Sequence, residues 1–257
     1  MNIRNILTVV TLVIASSGIF AQTAKEISDK ASNIIDFKAM EMSLTLKIYD
    51  TKGRERVRQI STASKNFGEI NKTIMKFTAP PDVKGTSILI YDYENKDDDM
   101  WIYMPAIRKT RRIVSSEKGK SFMGSEFTNA DMSKPNMNDF DYKIISSETY
   151  KGHSCWKIET TCKDEDIEDE NGFSKKIAWI EKKTYLCHKI EFYDFAGELY
   201  KIQSIEQYKK QSNNKYFAFY MKMENEQNAR KSIMTINKFQ LGSKLTESTF
   251  TPAMLKK

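Results

Sequence analysis

Residues 42–49 read MSLTLKIY, in which Met42, Leu44, Leu46 and Ile48 are apolar and Ser43, Thr45, Lys47 and Tyr49 fall between them. An apolar residue at every second position forms one continuous greasy face only on an extended chain, whose side chains point alternately to opposite sides. The stretch is therefore predicted to be a half-buried β-strand. Asp50, Thr51, Lys52 and Gly53 supply a turn directly after it, and residues 55–64 can return antiparallel.

Toward the N-terminus the period changes. Ala24, Ile27, Ala31, Ile34 and Ile35 fall at three-and-four spacing, which predicts a short amphipathic helix over 24–35. Toward the C-terminus the strand grammar repeats, at 70–77, 86–93, 100–104, 111–114, 140–149, 154–162, 175–181, 185–194, 198–208, 216–224 and 230–240. The connections are short: Lys151 with Gly152, Lys182 with Lys183, Ala196 with Gly197, and the polar run from Gln211 to Lys215. Two stretches interrupt the pattern. Ser121 to Pro135 reads as a helical or irregular excursion, with Thr128 and Asp131 spaced as a capping box and Gly124 placed for a tight turn. The acidic stretch from Asp164 to Glu170 lacks the glycine and ligand spacing of a calcium loop and reads as a solvated hairpin connection.

Sequential strands with hairpin-length connections make an antiparallel meander, and one this long must curl to bury its inner face. The expected fold class is mainly β with minor α: a single strongly curved antiparallel sheet forming an incomplete, half-open β-barrel. The N-terminal helix and the central excursion are the pieces expected to cover its mouth as a lid.

Residues 1–21 carry Arg4, an apolar run from Ile6 to Ile14, and small residues leading to Ala21, the pattern of a secretory signal peptide cleaved near Ala21. The apolar run is shorter than the ~20 residues a spanning helix needs. A soluble periplasmic protein of one domain, residues 22–257, is the expectation. The formal net charge of +7 points to an anionic surface or partner, and export makes nucleic acid a poor one. Cys155, Cys162 and Cys187 are an odd count, so a complete disulfide framework is excluded while one bridge remains open; Cys155 and Cys187 lie in different predicted strands.

The segment from Lys76 to Met132, KFTAPPDVKGTSILIYDYENKDDDMWIYMPAIRKTRRIVSSEKGKSFMGSEFTNADM, is the most distinctive part of the chain. Its Pro80 with Asp82 to Thr86, its Met100, Trp101, Tyr103, Met104 and Pro105, its Arg108 to Ile113, and its Ser121 to Ser125 with Phe127 and Asp131 resemble the signature region of the outer-membrane lipoprotein-sorting (LolA-like) family. Looser similarity runs through Trp179, Ile180, Lys182 and Lys183, and through Glu191, Phe192, Tyr193 and Asp194 before Gly197. The resemblance implies an incompletely closed barrel around a hydrophobic cavity, helices as a lid, and binding of acyl chains. It also implies a possible pairing with an inner-membrane exporter of the resistance-nodulation-division type.

A carrier needs an adaptable apolar surface, since each buried methylene contributes about 0.8 kcal/mol. The chain has 13 methionines, an unbranched and polarisable side chain suited to irregular ligands. Met42, Leu44, Leu46, Met100, Trp101, Tyr103, Met104, Phe122, Met123 and Phe127 are the expected cavity and lid residues. Trp101 and Tyr103 alternate with Met100, Ile102 and Met104, and sequence leaves open which set faces inward. Arg108, Lys109, Arg111 and Arg112 form the densest basic cluster, suited either to an anionic headgroup or partner docking face, or to a solvated strand surface.

Catalysis finds no support in a triad or nucleophile elbow. His153 and His188 each have a cysteine nearby, yet these four lack the paired short spacings of zinc motifs, so neither metal nor cofactor is expected. The expected partners are a lipid or lipidated protein, with an exporter and an outer-membrane acceptor on either side, and the chain is expected to be a monomer. A sensor or binding module on the same fold, ferrying nothing, is the alternative.

Overall fold

The computed structural model of the chain describes residues 22–94, 96–212, 214–242 and 244–257. The signal-peptide reading of residues 1–21 lies outside them. Among the described residues no helix is long and apolar enough to cross a membrane.

The elements follow in chain order. Helix α1 (Ala24–Asn33) precedes strands β1 (Ala39–Tyr49), β2 (Glu55–Asn66), β3 (Ile70–Ala79), β4 (Ser87–Tyr93), β5 (Asp99–Met104) and β6 (Lys109–Ile113). A short helix α2 (Ser115–Lys118) and two 3-10 turns, Ala130–Met132 and Met137–Asp139, lead to β7 (Phe140–Tyr150) and β8 (His153–Cys162). Helix α3 (Glu165–Asn171) is followed by β9 (Lys175–Glu181), β10 (Cys187–Tyr193), β11 (Leu199–Lys210), β12 (Tyr216–Asn225) and β13 (Lys231–Leu241). Two 3-10 turns, Glu247–Phe250 and Pro252–Lys256, end the chain.

All thirteen strands form one antiparallel sheet in the order β6-β5-β4-β3-β2-β1-β13-β12-β11-β10-β9-β8-β7. Two meanders are joined where β1 pairs with β13, and β6 and β7 are the edges, so the sheet is not closed. Every strand-like run read from the sequence is a strand. The acidic stretch at 164–170 is a correction: it is helix α3, because the Asp164 side chain accepts from the Ile167 N–H at 2.9 Å and Gly172 ends the helix in the left-handed region. Acidic residues at the first turn also suit the helix dipole. Pieces beyond α1 and the excursion therefore cover the sheet: α2 and α3 as well, and the terminal turns.

The inner face, on which residues 114–139 and α1 lie, carries Leu44, Leu46 and Ile48 from β1, Met75 and Phe77 from β3, Ile88 and Ile90 from β4, and Met234 and Ile236 from β13 in one core cluster. A full burial of each such side chain contributes about 1.5–3 kcal/mol. A bulge keeps β13 in phase with this face. Leu44 pairs with Ile236 but Ser43 with Lys238, so Asn237 is the extra residue and Phe239 comes opposite Met42. On the outer face Ile74 and Leu89 pack against Phe250 and Leu255 of the terminal turns. Tyr91 Oη donates to the Phe250 carbonyl at 2.6 Å, and Lys72 pairs with Glu247 at 2.5 Å, which fixes those turns over β3 and β4.

Candidate functional site

The period of two that makes β1 a strand also makes its Met42, Leu44 and Leu46 side chains neighbours on the inner face. There they join Met100 and Met104 of β5 and Phe122, Met123 and Phe127 of the excursion in the same core cluster. Eight of the ten expected lining residues thus meet. Trp101 and Tyr103 do not: β4–β5 pairing sets Trp101 beside Leu89 on the outer face, and both aromatics pack in the cluster of Phe250 and Leu255. Pairing of Met100 with Ile90 settles which alternate set of β5 faces inward.

The excursion sits on the inner face as a closing segment. Phe122 and Phe127 are each 1% exposed, and the Phe122 N–H donates to the Phe127 carbonyl at 2.8 Å to form a tight loop whose Met123 and Gly124 both have positive φ. Glycine at 124 removes the steric penalty that a left-handed backbone places on other residues. Thr128 and Asp131 form the reciprocal pair read from their spacing: the Thr128 N–H donates to Asp131 Oδ2 at 2.7 Å and the Asp131 N–H to Thr128 Oγ1 at 3.2 Å. Among the described residues these side chains pack onto the inner face where the sequence predicts a hollow. One cleft of about 60 Å³ lies among polar groups including Asp98, Lys118 and Glu170, and another of about 10 Å³ lies beside Glu126, Lys201 and Met223. Pockets for apolar ligands run to about 300–1,000 Å³, so neither holds a hydrocarbon tail.

Polar contacts anchor the segment to the sheet beside the buried Phe122 and Phe127. Glu126, 4% exposed, gives its backbone N–H to Ser232 Oγ at 2.9 Å and accepts from Asn225 Nδ2 at 2.8 Å. Its carboxylate pairs with Arg230 Nε at 2.9 Å, and Lys201 Nζ donates to its carbonyl at 2.8 Å. Lys118 of α2 pairs with Glu170 of α3 in a second sheltered ion pair. Asp131 is held up by burial, and Lys176, also on this side of the sheet, is held down by burial. None of the anchoring residues was singled out from sequence, since they come from elements far apart in the chain.

A further group missed from sequence is aromatic. Phe217 and Phe239 stack with centroids 4.1 Å apart, and Phe37 and Phe219 meet them edge-on at 5.5 to 6.0 Å. Phe217, Phe219 and Phe239 are half-buried and pack against the main cluster beside Met42 and Met221. The alternation of Phe217, Phe219, Met221 and Met223 within β12 was the available signal.

The basic cluster lies along the edge strand. Arg108 occupies a left-handed turn, and Lys109, Arg111 and Arg112 are exposed on β6. Pairing opposite Met104 and Ile102 puts Lys109 and Arg111 on one face, while Arg112 opposite Trp101 lies on the other. Arg111 binds Glu117 at 2.6 Å and Arg112 pairs with Asp99. The cysteines are free thiols; burial pushes Cys162 and Cys187 up to about 12, which disfavours the nucleophilic thiolate.

A single open antiparallel sheet with an apolar inner face crossed by one segment is a LolA-like fold. A family model described as "-like: Uncharacterized protein" matches residues 69–257. Among solved structures, an outer membrane lipoprotein-sorting protein domain from Vibrio parahaemolyticus is 25% identical, with a TM-score of 0.84 over 91% of this chain and 98% of that one. A DUF1329 family protein from Desulfovibrio piger is 25% identical, with a TM-score of 0.83 over 90% and 97%. A LolA superfamily protein from Nitrosomonas europaea, 20% identical, shares the fold with a TM-score of 0.72 over 91% and 100%. No curated protein matches the chain. The chain belongs to the family whose model matches residues 69–257, and it shares its fold with the outer-membrane lipoprotein-sorting and LolA superfamily structures.

Proposed function

We propose that the protein is an exported periplasmic carrier that takes one acyl chain of a lipid or lipidated protein onto the inner face of its sheet. The supporting observation is that this apolar face is closed by a segment, residues 114–139, fastened to β11, β12 and β13 through side chains. Such a segment can lift without unpairing the sheet. In this reading residues 114–139 are the lid, the sheet is a half-open barrel, and Phe217, Phe219 and Phe239 are the entry.

Magnitudes favour exchange. Lifting Phe122 and Phe127 forfeits about 1.5–3 kcal/mol each, while ten methylenes entering their place contribute about 8 kcal/mol. The surplus is available to break the Glu126 contacts and order the ligand. The basic edge strand with Arg108, Lys109, Arg111 and Arg112 then meets an anionic headgroup or the acidic face of an exporter or acceptor. Lipid extraction and native mass spectrometry of protein purified from the periplasm test the proposal: copurifying acyl lipid supports it, and protein that neither carries lipid nor takes up a fluorescent acyl probe overturns it. The filled inner face supports a second reading, an envelope binding module that ferries nothing, and that second result would favour it.

A further inference from the structure

Three adjacent strands bring two imidazoles and a carboxylate together at one end of the sheet, away from the inner face. His153 opens β8, Glu181 closes β9, and His188 is the second residue of β10. β8–β9 pairing sets Cys155 opposite Glu181, so His153 reaches Glu181 from the rim. A bulge delivers the third residue. Cys187 pairs with Ile180 but Lys189 with Trp179, so His188 is inserted between them and projects to Glu181 rather than into the core.

The distances are those of a ligand set. His153 Nδ1 lies 3.2 Å from Glu181 Oε1, and His188 Nε2 lies 3.4 Å from Glu181 Oε2. All three residues offer a donor atom within 4.8 Å of the others. Bonds of about 2.0–2.1 Å to a tetrahedral ion place neighbouring donor atoms roughly 3.3 Å apart, and each imidazole lies near that length from one of the two Glu181 oxygens, so the carboxylate sits between both rings. The imidazoles stack with centroids 4.2 Å apart at 21°. Glu181 and His188 side chains are 13% exposed and His153 is 42% exposed, so the cluster is sheltered below and open on one side. Second contacts hold the ligands: Thr184 Oγ1 donates to Glu181 Oε2, and the Tyr208 ring meets His188 edge-on at 5.8 Å. The nearby cysteines take no part, since Cys155 Sγ donates to the His153 carbonyl and Cys187 Sγ to the Lys189 carbonyl.

We propose that His153, Glu181 and His188 form a binding site for a borderline divalent transition-metal ion, Zn²⁺ above all, with at least one coordination position left to water or to a partner's side chain. Two nitrogens and one carboxylate suit zinc, cobalt, nickel or copper and discriminate against the all-oxygen preference of calcium and magnesium. The inference is independent of the carrier proposal, and it departs from the sequence expectation because the third ligand is Glu181, which lies outside both histidine-cysteine pairs.

The test is titration of the untagged chain with ZnCl₂ against a chromophoric chelator, with Co²⁺ as a spectroscopic probe. One equivalent of Zn²⁺ is expected, displaced poorly by excess Mg²⁺ or Ca²⁺, with visible Co²⁺ bands of a low-coordinate ion. H153Q and H188Q should each weaken uptake at least tenfold, and the half-exposed His153 makes H153Q the variant least able to disturb folding, which circular dichroism checks. Absence of saturable uptake by the unsubstituted chain, or uptake that the double variant H153Q/H188Q retains, overturns the proposal.

Discussion

Glu126 accepts a hydrogen bond from Asn225 across the inner face, Nδ2 to Oε2 at 2.8 Å, between residues 99 positions apart in sequence. Lys201, 7% exposed, donates to the Glu126 carbonyl from the neighbouring strand, and Arg230 pairs with the carboxylate. Removing the carboxylate leaves the buried Lys201 and the partly exposed Arg230 with less compensation, so Glu126→Ala should cost about 3 kcal/mol in urea unfolding. Adding Lys201→Met should recover part of that loss, because an apolar side chain of similar length needs no partner. Equal stability of E126A and the unsubstituted protein would show that the latch contributes nothing.

If the segment lifts to admit an acyl chain, loosening it should quicken uptake and damaging the entry should weaken it. Phe217→Ser removes the ring that stacks on Phe239 at 4.1 Å. Fluorescent acyl-probe titration is expected to show at least a fivefold weaker affinity for F217S and faster association for E126Q. A probe affinity indifferent to Phe217 would place the entry elsewhere.

Asp92 sets a pH dependence. Burial pushes its carboxyl up to about 6, its hydrogen bond from the Lys134 N–H only partly offsetting this, and nearby Asp98 adds to the rise. A carboxyl raised in the folded state binds its proton more tightly than in the unfolded chain, so stability through this group increases as pH falls from above 6 toward 3.8 and is lost as pH rises through that window. Asp92→Asn should therefore stabilise the protein at pH 7 by about 1–2 kcal/mol and flatten the profile between pH 4 and 7. Denaturant midpoints of both proteins across that range decide it; an unchanged slope in D92N would remove Asp92 as the source.

Phe250 is fully buried on the outer face, against Ile74 and Leu89. Phe250→Ala should cost about 3–5 kcal/mol, the sum of lost transfer energy and the cavity left behind. Tryptophan fluorescence should shift with it, because Trp101 packs in that same cluster. A loss below 1 kcal/mol would mean that the terminal turns are not fastened to the sheet.

The thirteen strands were legible because alternation is a local property: Met42, Leu44, Leu46 and Ile48 announce an extended chain whatever lies beside them. Helix α3 was not, since an acidic stretch with little apolar content resembles a solvated loop until Asp164 and Gly172 are seen capping its two ends. Of the expected lining set, Trp101 and Tyr103 pack on the outer face, because alternation names two faces without saying which one is covered.

From its own sequence this chain determined the strands and the turns between them, which depend on residues within a few positions of one another, and the family resemblance, which is read along the chain without reference to contacts. Only the tertiary structure decided that Phe122 and Phe127 fill the inner face and that Glu126 meets Asn225. The same holds for the bulges at Asn237 and His188, which turn Phe239 toward Met42 and His188 toward Glu181. The physical reason is register: pairing between strands and the one-residue slips within it are cooperative outcomes of the whole sheet, and no single strand encodes them.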